Sequence, residues 1–200
     1  MEEAALIHSD IESLQGQILI GDVVFVHIPI FPFPRVARDT GSWTNHVGIV
    51  VKNANGEPVV AESTFPFSTM TPLKRFIKRS AKGRVRVSRL RAPLSDTHRH
   101  GLLSAASRRL GIFYDTGFNL HSRRQFCSRY VNEVVGEAIG VQLGKVETFE
   151  ELFARNPKAG LRFWKLWYFG RIPWGRKTIT PASVLESPLL DTVFDGYVPV

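Results

Sequence analysis

The chain has 200 residues but only one cysteine, Cys127, and no apolar run long enough to span a membrane. A single cysteine excludes an internal disulfide framework, and no group of cysteines and histidines has the spacing of a zinc site. A transmembrane helix needs about 18 consecutive apolar residues, which no segment supplies. Residues 1–5 contain two glutamates and lack the apolar stretch of a secretory signal. We therefore expect a cytoplasmic protein with no metal and no cofactor.

Acidic residues are scarce relative to basic ones. The chain has 26 lysines and arginines against 18 aspartates and glutamates, so its formal net charge is +8. Such a surface attracts phosphate-bearing partners, including nucleic acids and anionic membrane surfaces. Basic residues are densest between positions 74 and 91, at Lys74, Arg75, Lys78, Arg79, Lys82, Arg84, Arg86, Arg89 and Arg91. No helix-turn-helix or RNA-recognition pattern accompanies this run, so we do not expect a nucleic-acid partner. A basic nucleic-acid- or membrane-binding module without catalysis remains the alternative function.

A β-hairpin is predicted in the first third of the chain. His46–Lys52 and Pro58–Ser63 are rich in β-branched residues, and residues 53–57 between them suit a short hairpin loop. The register that follows makes His46 and Glu62 diagonal neighbours on one face of the sheet. A slip of one residue would send the two side chains to opposite faces.

The other elements are predicted from caps, glycines and apolar spacing. In chain order they are a polar lead-in with a short helix (1–17), a strand with a Gly-Asp turn (Ile18–Ile28), a proline- and phenylalanine-containing loop (29–45), a helix after the Thr71-Pro72 cap, a strand (Arg84–Leu90), a helix from Ser95 to about Leu110, and helix starts at Thr148 and Thr180. This order favours an α+β fold over a parallel βαβ sheet. No repeat or linker divides the chain, so we predict a single domain over residues 1–200.

An amphipathic helix is predicted directly after the cysteine. Apolar residues recur at three- and four-residue steps through Phe126–Ile139, and Gly140 is a typical stop. Cys127 therefore lies in the first turn, where free backbone N–H groups and the positive end of the helix dipole favour a thiolate. Arg124 and Arg129 add positive charge. The alternative is an inert cysteine that only packs in the core.

A cysteine hydrolase needs a thiolate, a histidine that moves a proton, and a polar group that orients the histidine. Cys127, His46 and Glu62 supply these three types of group. His46 begins an apolar strand after a long loop, a position from which a side chain can project into a cleft. His27, at the end of an earlier strand, is the reserve candidate. A strand histidine or glutamate also commonly has a purely structural role.

Several short motifs, taken in order, resemble the circularly permuted branch of the NlpC-type papain-like cysteine hydrolases, in its YebB/YiiX-like group. They are Gly21-Asp22, Trp43–Val50, Val60–Ser63, Tyr114-Asp115 and Gln125–Ser128. Lecithin:retinol acyltransferase-like enzymes are more distant relatives. The resemblance implies a permuted papain-like fold, in which an antiparallel sheet packs against the cysteine-bearing helix.

The resemblance also implies roles for particular residues. Cys127 matches the nucleophile, His46 the general base and Glu62 the orienting group. Tyr114 is a candidate for the oxyanion site, and Trp43 is a candidate substrate contact. We therefore expect a thiol hydrolase or acyltransferase that cleaves an amide or ester bond in a peptidoglycan-type peptide or a lipid or acyl amide.

Two aromatic segments bear on the substrate. Phe31–Phe33 lies in the long loop, and Phe163–Phe169 is a nearly continuous aromatic run with one lysine. The second segment predicts an aromatic-rich core helix with basic residues at its edge. The alternative is that both segments bind an acyl chain or lie at an anionic membrane surface, where basic and aromatic residues collect.

Overall fold

In the computed structural model, which describes residues 6–52 and 58–199, a seven-stranded sheet separates two layers of helices. The strands are β1 (Ile7–His8), β2 (Val23–Val26), β3 (His46–Lys52), β4 (Pro58–Glu62), β5 (Thr69–Pro72), β6 (Arg84–Leu90), β7 (Glu147–Thr148), β8 (Lys177–Thr178) and β9 (Leu190–Tyr197). The large sheet has the order β1-β9-β6-β2-β3-β4-β5, and β7 pairs with β8 separately. All pairs are antiparallel except β1–β9, so the α+β prediction with a mainly antiparallel sheet is confirmed.

The helices lie on both faces of the large sheet. They are α1 (Ile11–Gln17), α2 (Phe33–Asp39), α3 (Leu73–Lys78), α4 (Asp96–Ser107), α5 (Cys127–Ile139), α6 (Phe149–Arg155), α7 (Leu161–Trp167) and α8 (Pro181–Leu185). One apolar core packs α4, α5 and α8 against the sheet, and the other packs α1 and α3 on the opposite face. No helix in the described part of the chain has the length and apolarity to cross a bilayer.

The central hairpin has the predicted register. Ile49 pairs with Ala61, and Lys52 pairs with Pro58. The predicted loop at residues 53–57 lies outside the described residues. Because the register holds to the end of β4, the side chains of His46 and Glu62 lie on the same face.

The cysteine helix also begins and ends as predicted. Helix α5 starts at Cys127 and ends before Gly140, whose φ of 81° lies in the left-handed region that glycine adopts at helix ends. Its buried face, including Tyr130, Val131 and Val134, packs on the sheet. The cysteine is therefore held by a long buried helix at the edge of the core.

Three local predictions are wrong. The loop predicted at 29–45 contains α2, which tolerates prolines because they lie at its first turn. Thr71 does not cap a helix; it lies in β5, and α3 begins at Leu73. The aromatic segment does not form a core helix, since Trp164 is the only buried residue of α7. Strand β9, which completes the sheet beside β6, is not predicted by the sequence pattern.

Candidate active site

Cys127, His46 and Glu62 come together where the N-terminus of α5 meets the hairpin. The Nε2 atom of His46 donates a hydrogen bond to Oε2 of Glu62 at 2.5 Å. Nδ1 is buried and has no hydrogen-bond partner among the described residues. Cys127 lies close enough to His46 for each of the two groups to shift the pKa of the other. The exposed fraction is 3% for Cys127 and 0% for the other two, so the group is almost fully shielded from water.

The imidazole is held by the sheet and by aromatic rings. His46 is the first residue of β3 and pairs with Val26 of β2, so its backbone is fixed within the sheet. Its ring lies between Phe76 and Phe33, at centroid distances of 5.6 and 6.3 Å. With Nε2 donating to Glu62, the neutral ring presents Nδ1 as an acceptor toward the thiol.

Three donors bind the Glu62 carboxylate and hold it in place beside the sheet. They are Nε2 of His46, the Thr71 hydroxyl at 2.6 Å and Nη2 of Arg79 at 2.7 and 2.8 Å. Sequence patterns present Thr71 as a helix cap and Arg79 as one of many surface cations. The signal for their role is weak, because only the pairing of β4 with β5 brings Thr71 next to the carboxylate.

These contacts shift the pKa values in the direction of an ion pair. Burial lowers the pKa of His46, but hydrogen bonds to Cys127 and Glu62 outweigh it and raise the pKa to about 9. Burial raises the pKa of Glu62, but His46 and Arg79 bring it down to about 2. Burial opposes the thiolate as well, yet His46, the Val47 backbone N–H and Tyr114 lower the pKa of Cys127 below its ordinary value. The arrangement therefore favours a thiolate beside an imidazolium.

The start of α5 also favours a thiolate at Cys127. Phe126 is the N-cap of α5 and supplies no capping side chain. The first-turn N–H groups are then free to face a negatively charged sulfur or oxygen. Polar N-caps are strongly preferred elsewhere, so an apolar residue at this position is a feature of the site rather than of helix stability.

Tyr114 lies on the other side of the cysteine. Its hydroxyl interacts with both the side chain and the backbone N–H of Cys127, and burial together with the nearby sulfur raises its pKa well above the ordinary value. A bridge to Gln125 and a hydrogen bond from its N–H to the Pro66 carbonyl at 2.9 Å fix its backbone. The Tyr114 hydroxyl and the Cys127 backbone N–H are thus neighbouring polar groups beside the sulfur.

The remaining sequence candidates lie farther from the sulfur. The Trp43 ring packs against the Arg84 guanidinium at 4.1 Å and does not line either cavity at the site. His27 uses Nδ1 to bond the Trp43 carbonyl at 2.7 Å. His27 therefore ties two loops together, and the structure does not bring it to Cys127.

Two cavities meet at Tyr114 and Phe118. The inner cavity, of about 50 Å³, reaches Cys127 and is lined mainly by apolar side chains, among them Val36, Phe126, Phe149, Phe153, Trp164 and Ile179. The outer cavity, of about 460 Å³, opens to the surface between Ile30, Phe31, Phe65 and Trp167. A pocket with aromatic walls therefore lies beside the mainly apolar cavity that reaches Cys127.

Much of the basic run between positions 74 and 91 is engaged in ion pairs. The pairs are Arg79–Glu62, Arg84–Asp195, Arg86–Asp195, Arg89–Asp22 and Arg91–Asp191. Most of these arginines brace the sheet, and Arg79 braces the active-site carboxylate. The five paired arginines of this run are therefore structural, whereas Lys74, Arg75, Lys78 and Lys82 are exposed.

Comparison with known proteins relates the whole fold to one group. A family model described as "Permuted papain-like amidase enzyme, YaeF/YiiX, C92 family" matches residues 17–194. The Escherichia coli K12 protein named "Uncharacterized protein YiiX" is 30% identical over 173 residues, which cover 86% of this chain and 84% of that protein. The crystal structure of a protein named metalloprotein YiiX, from Escherichia coli O157:H7, superimposes with a TM-score of 0.84 at 30% identity, covering 90% of this chain and 99% of the other.

Proposed function

Because the chain belongs to the permuted papain-like amidase family, we propose that it hydrolyses an amide bond with Cys127 as nucleophile, His46 as general base and acid, and Glu62 as the group that orients His46. One observation carries the proposal: Cys127 lies beside a buried histidine whose Nε2 is bonded to a buried carboxylate, while its Nδ1 has no hydrogen-bond partner among the described residues. That is the order of contacts that nucleophilic catalysis by a cysteine requires.

The reaction begins from the thiolate–imidazolium pair. The Cys127 sulfur attacks the amide carbonyl carbon and forms a tetrahedral intermediate. His46 then gives its Nδ1 proton to the leaving amine, the C–N bond breaks, and a thioester remains on Cys127. Water, deprotonated by the same nitrogen, attacks the thioester and releases the acid and the free thiol. Glu62 keeps the imidazole oriented through both steps and stabilises its charged form.

The developing oxyanion requires donors close to the sulfur. The backbone N–H of Cys127 and the hydroxyl of Tyr114 are suited to this role because both are donors beside the sulfur. Each such donor typically contributes about 10²–10³ in rate, since it stabilises charge that exists only in the transition state. The uncapped start of α5 adds a favourable dipole at the same point.

The cavities support an acyl amide as the substrate more than a polar peptide. The inner slot beside Cys127 is small and lined by Phe126, Phe149 and Trp164, among others, so it suits an apolar acyl group. A peptidoglycan-type peptide would place polar groups against these rings without partners, which is costly. Transfer of the acyl group to an amine or alcohol instead of water uses the same thioester.

The structural relative from Escherichia coli O157:H7 carries the name metalloprotein, so the residues of this chain can be compared with the needs of a metal ion. Within the described residues of this chain, no three or more histidine, cysteine, aspartate and glutamate side chains form a group able to hold a metal ion. At the site itself, the Glu62 carboxylate is bound by the guanidinium of Arg79, which opposes a second cation there. The donor set therefore does not fit a metal, and the proposed mechanism uses none.

The test is turnover of a panel of acyl amides, with peptidoglycan peptides and acyl esters beside them, by the wild type and Cys127→Ala. We expect wild-type turnover of acyl amides, a covalent acyl adduct on the intact protein seen by mass spectrometry, and loss of both in Cys127→Ala. Equal thermal unfolding temperatures for the two proteins would confirm that the variant folds. Wild-type turnover by folded Cys127→Ala would end the proposal.

A further inference from the structure

The entrance to the outer cavity is surrounded by exposed apolar side chains. Ile30, Phe31 and Phe65 line the opening and are largely exposed, and Leu166 and Phe169, in the segment that also carries the cavity residue Trp167, are 80% and 98% exposed. We call these five residues the aromatic ledge. Single exposed apolar residues are ordinary on protein surfaces, but a contiguous group of large ones indicates a binding surface.

Helix α7, which carries Leu166, packs against the loop before α2, which carries Ile30 and Phe31. Phe31 contacts Phe163 and Trp167 edge to face, at centroid distances of 5.7 and 6.4 Å. Trp167 also lines the outer cavity. Leu166 precedes Trp167 on α7, and Phe169 is two residues after the end of the helix. The two strongly exposed side chains therefore belong to the same short segment as the cavity residue Trp167.

The same segment carries a one-sided charge. Between residues 152 and 185 the sequence has seven lysines and arginines and no aspartate or glutamate. Only Arg155 among these cations pairs with a carboxylate in the described part of the chain. Those that are exposed are Arg155, Lys158, Arg162, Lys165, Arg171 and Lys177. The segment that contributes Leu166 and Phe169 to the ledge is thus strongly basic, in a chain whose net charge is +8.

We infer that the aromatic ledge and the exposed lysines and arginines of residues 152–185 dock the protein on an anionic membrane surface, with the cavity mouth against the bilayer. The substrate is then a membrane-resident acyl amide, a conclusion that rests on the amide hydrolysis proposed above. Exposed aromatic and aliphatic side chains enter the headgroup region, and lysines and arginines bind the anionic headgroups. Leu166 and Ile30 favour this partner over nucleic acid, because aliphatic side chains gain nothing from stacking on bases. An entrance facing lipid also places an acyl chain next to the mainly apolar cavity that reaches Cys127.

Vesicle co-sedimentation of the full chain tests the inference, with phosphatidylcholine vesicles that contain or lack phosphatidylglycerol, at low and high salt. We expect binding only to the vesicles with phosphatidylglycerol, weakened by salt. Arg162→Gln with Lys165→Gln should lower the partition coefficient roughly fivefold per cation removed. Leu166→Ser with Phe169→Ser should lower it by at least about tenfold.

The matched control carries Leu19→Ser, Lys74→Gln and Lys78→Gln, which change an exposed leucine and two exposed lysines away from the ledge. It should bind vesicles as the wild type does. No binding to phosphatidylglycerol vesicles at low salt, or equal losses in the control and ledge variants, would overturn the inference. Displacement of the protein from vesicles by duplex DNA at equal phosphate concentration would also overturn it, in favour of a nucleic-acid surface.

Two further measurements separate this inference from the proposed function. Cys127→Ala should bind vesicles like the wild type, because the ledge does not include the sulfur. Turnover of a short, water-soluble acyl amide without vesicles reports on Cys127 and His46 alone. Vesicle binding without turnover would support membrane docking and contradict the proposed amidase function. Turnover without vesicle binding would support the amidase function and contradict membrane docking.

Discussion

The side chains of His46 and Glu62 are joined by a hydrogen bond of 2.5 Å across two neighbouring strands, and both are fully buried. The carboxylate keeps its charge in this setting because Thr71 and Arg79 also donate to it. A buried carboxylate with three donors fixes both the position and the tautomer of the histidine. The reactivity of Cys127 should therefore depend on a group that never touches the substrate.

Glu62→Gln tests this dependence. The amide cannot stabilise the imidazolium, so kcat/KM for an acyl amide should fall by about 10²–10⁴. The basic limb of the pH–rate profile should also move to lower pH, because the pKa of His46 loses one of the contacts that raise it. Thr71→Val, which removes a single hydrogen bond from the same carboxylate, should give a smaller loss with the basic limb little changed. A Glu62→Gln enzyme with wild-type rate and profile would contradict the assignment.

The pH dependence of the wild type follows from the two shifted groups. The thiolate forms as pH rises through the lowered pKa of Cys127, and the imidazolium is lost as pH rises through the His46 pKa of about 9. The rate should therefore be bell-shaped, with its basic limb near pH 9, although the apparent values belong to the pair. Measurements of kcat/KM across pH, with iodoacetamide labelling of Cys127 in parallel, check this. Labelling that begins only at the pH of an ordinary thiol would show that no ion pair forms.

Tyr114→Phe tests the oxyanion donor. Removing the hydroxyl leaves the ring packing against Phe33 and Phe118, so the fold should be retained. We expect kcat to fall by about 10²–10³ with little change in KM, because the donor acts mainly in the transition state. Tyr197→Phe, on the distant β9, is the control and should leave both constants unchanged. A loss confined to KM would assign Tyr114 to substrate binding instead.

The parts of the site that sequence could predict are those set by local pattern. The start of α5 at Cys127, its end at Gly140 and the hairpin register that brings His46 beside Glu62 all follow from residue spacing over short distances. Each rests on periodicity or on turn chemistry, which a single sequence displays directly.

The parts that sequence missed depend on contacts between distant segments. Thr71 and Arg79 reach Glu62 only because β5 pairs with β4 and α3 follows it. The aromatic content of α7 predicts a buried helix, yet burial is decided by how many partners surround a helix, and this one packs on a single side. Composition gives the apolar content of a segment but not the side on which the core lies.

The loss of protein stability at acid pH tests the charge state of Glu62 without involving catalysis. Its pKa is about 2 in the folded protein against 4.5 as the ordinary value. A lowered pKa means that the carboxylate stabilises the fold above pH 4.5 and that this stabilisation is lost as pH falls from 4.5 toward 2. The contribution is on the order of 3 kcal/mol, because a tenfold difference in proton affinity between the folded and unfolded states corresponds to about 1.4 kcal/mol.

Urea unfolding of the wild type and Glu62→Gln between pH 2 and pH 7 measures this contribution. We expect the variant to be less stable at pH 7 and the difference between the two proteins to shrink steadily below pH 4.5, because the wild type loses the charge that the variant never had. Glu150→Gln, at an exposed position, should follow the wild type throughout. A difference that stays constant down to pH 2 would mean that the glutamine disturbs packing around His46 and that the carboxylate charge contributes nothing to stability.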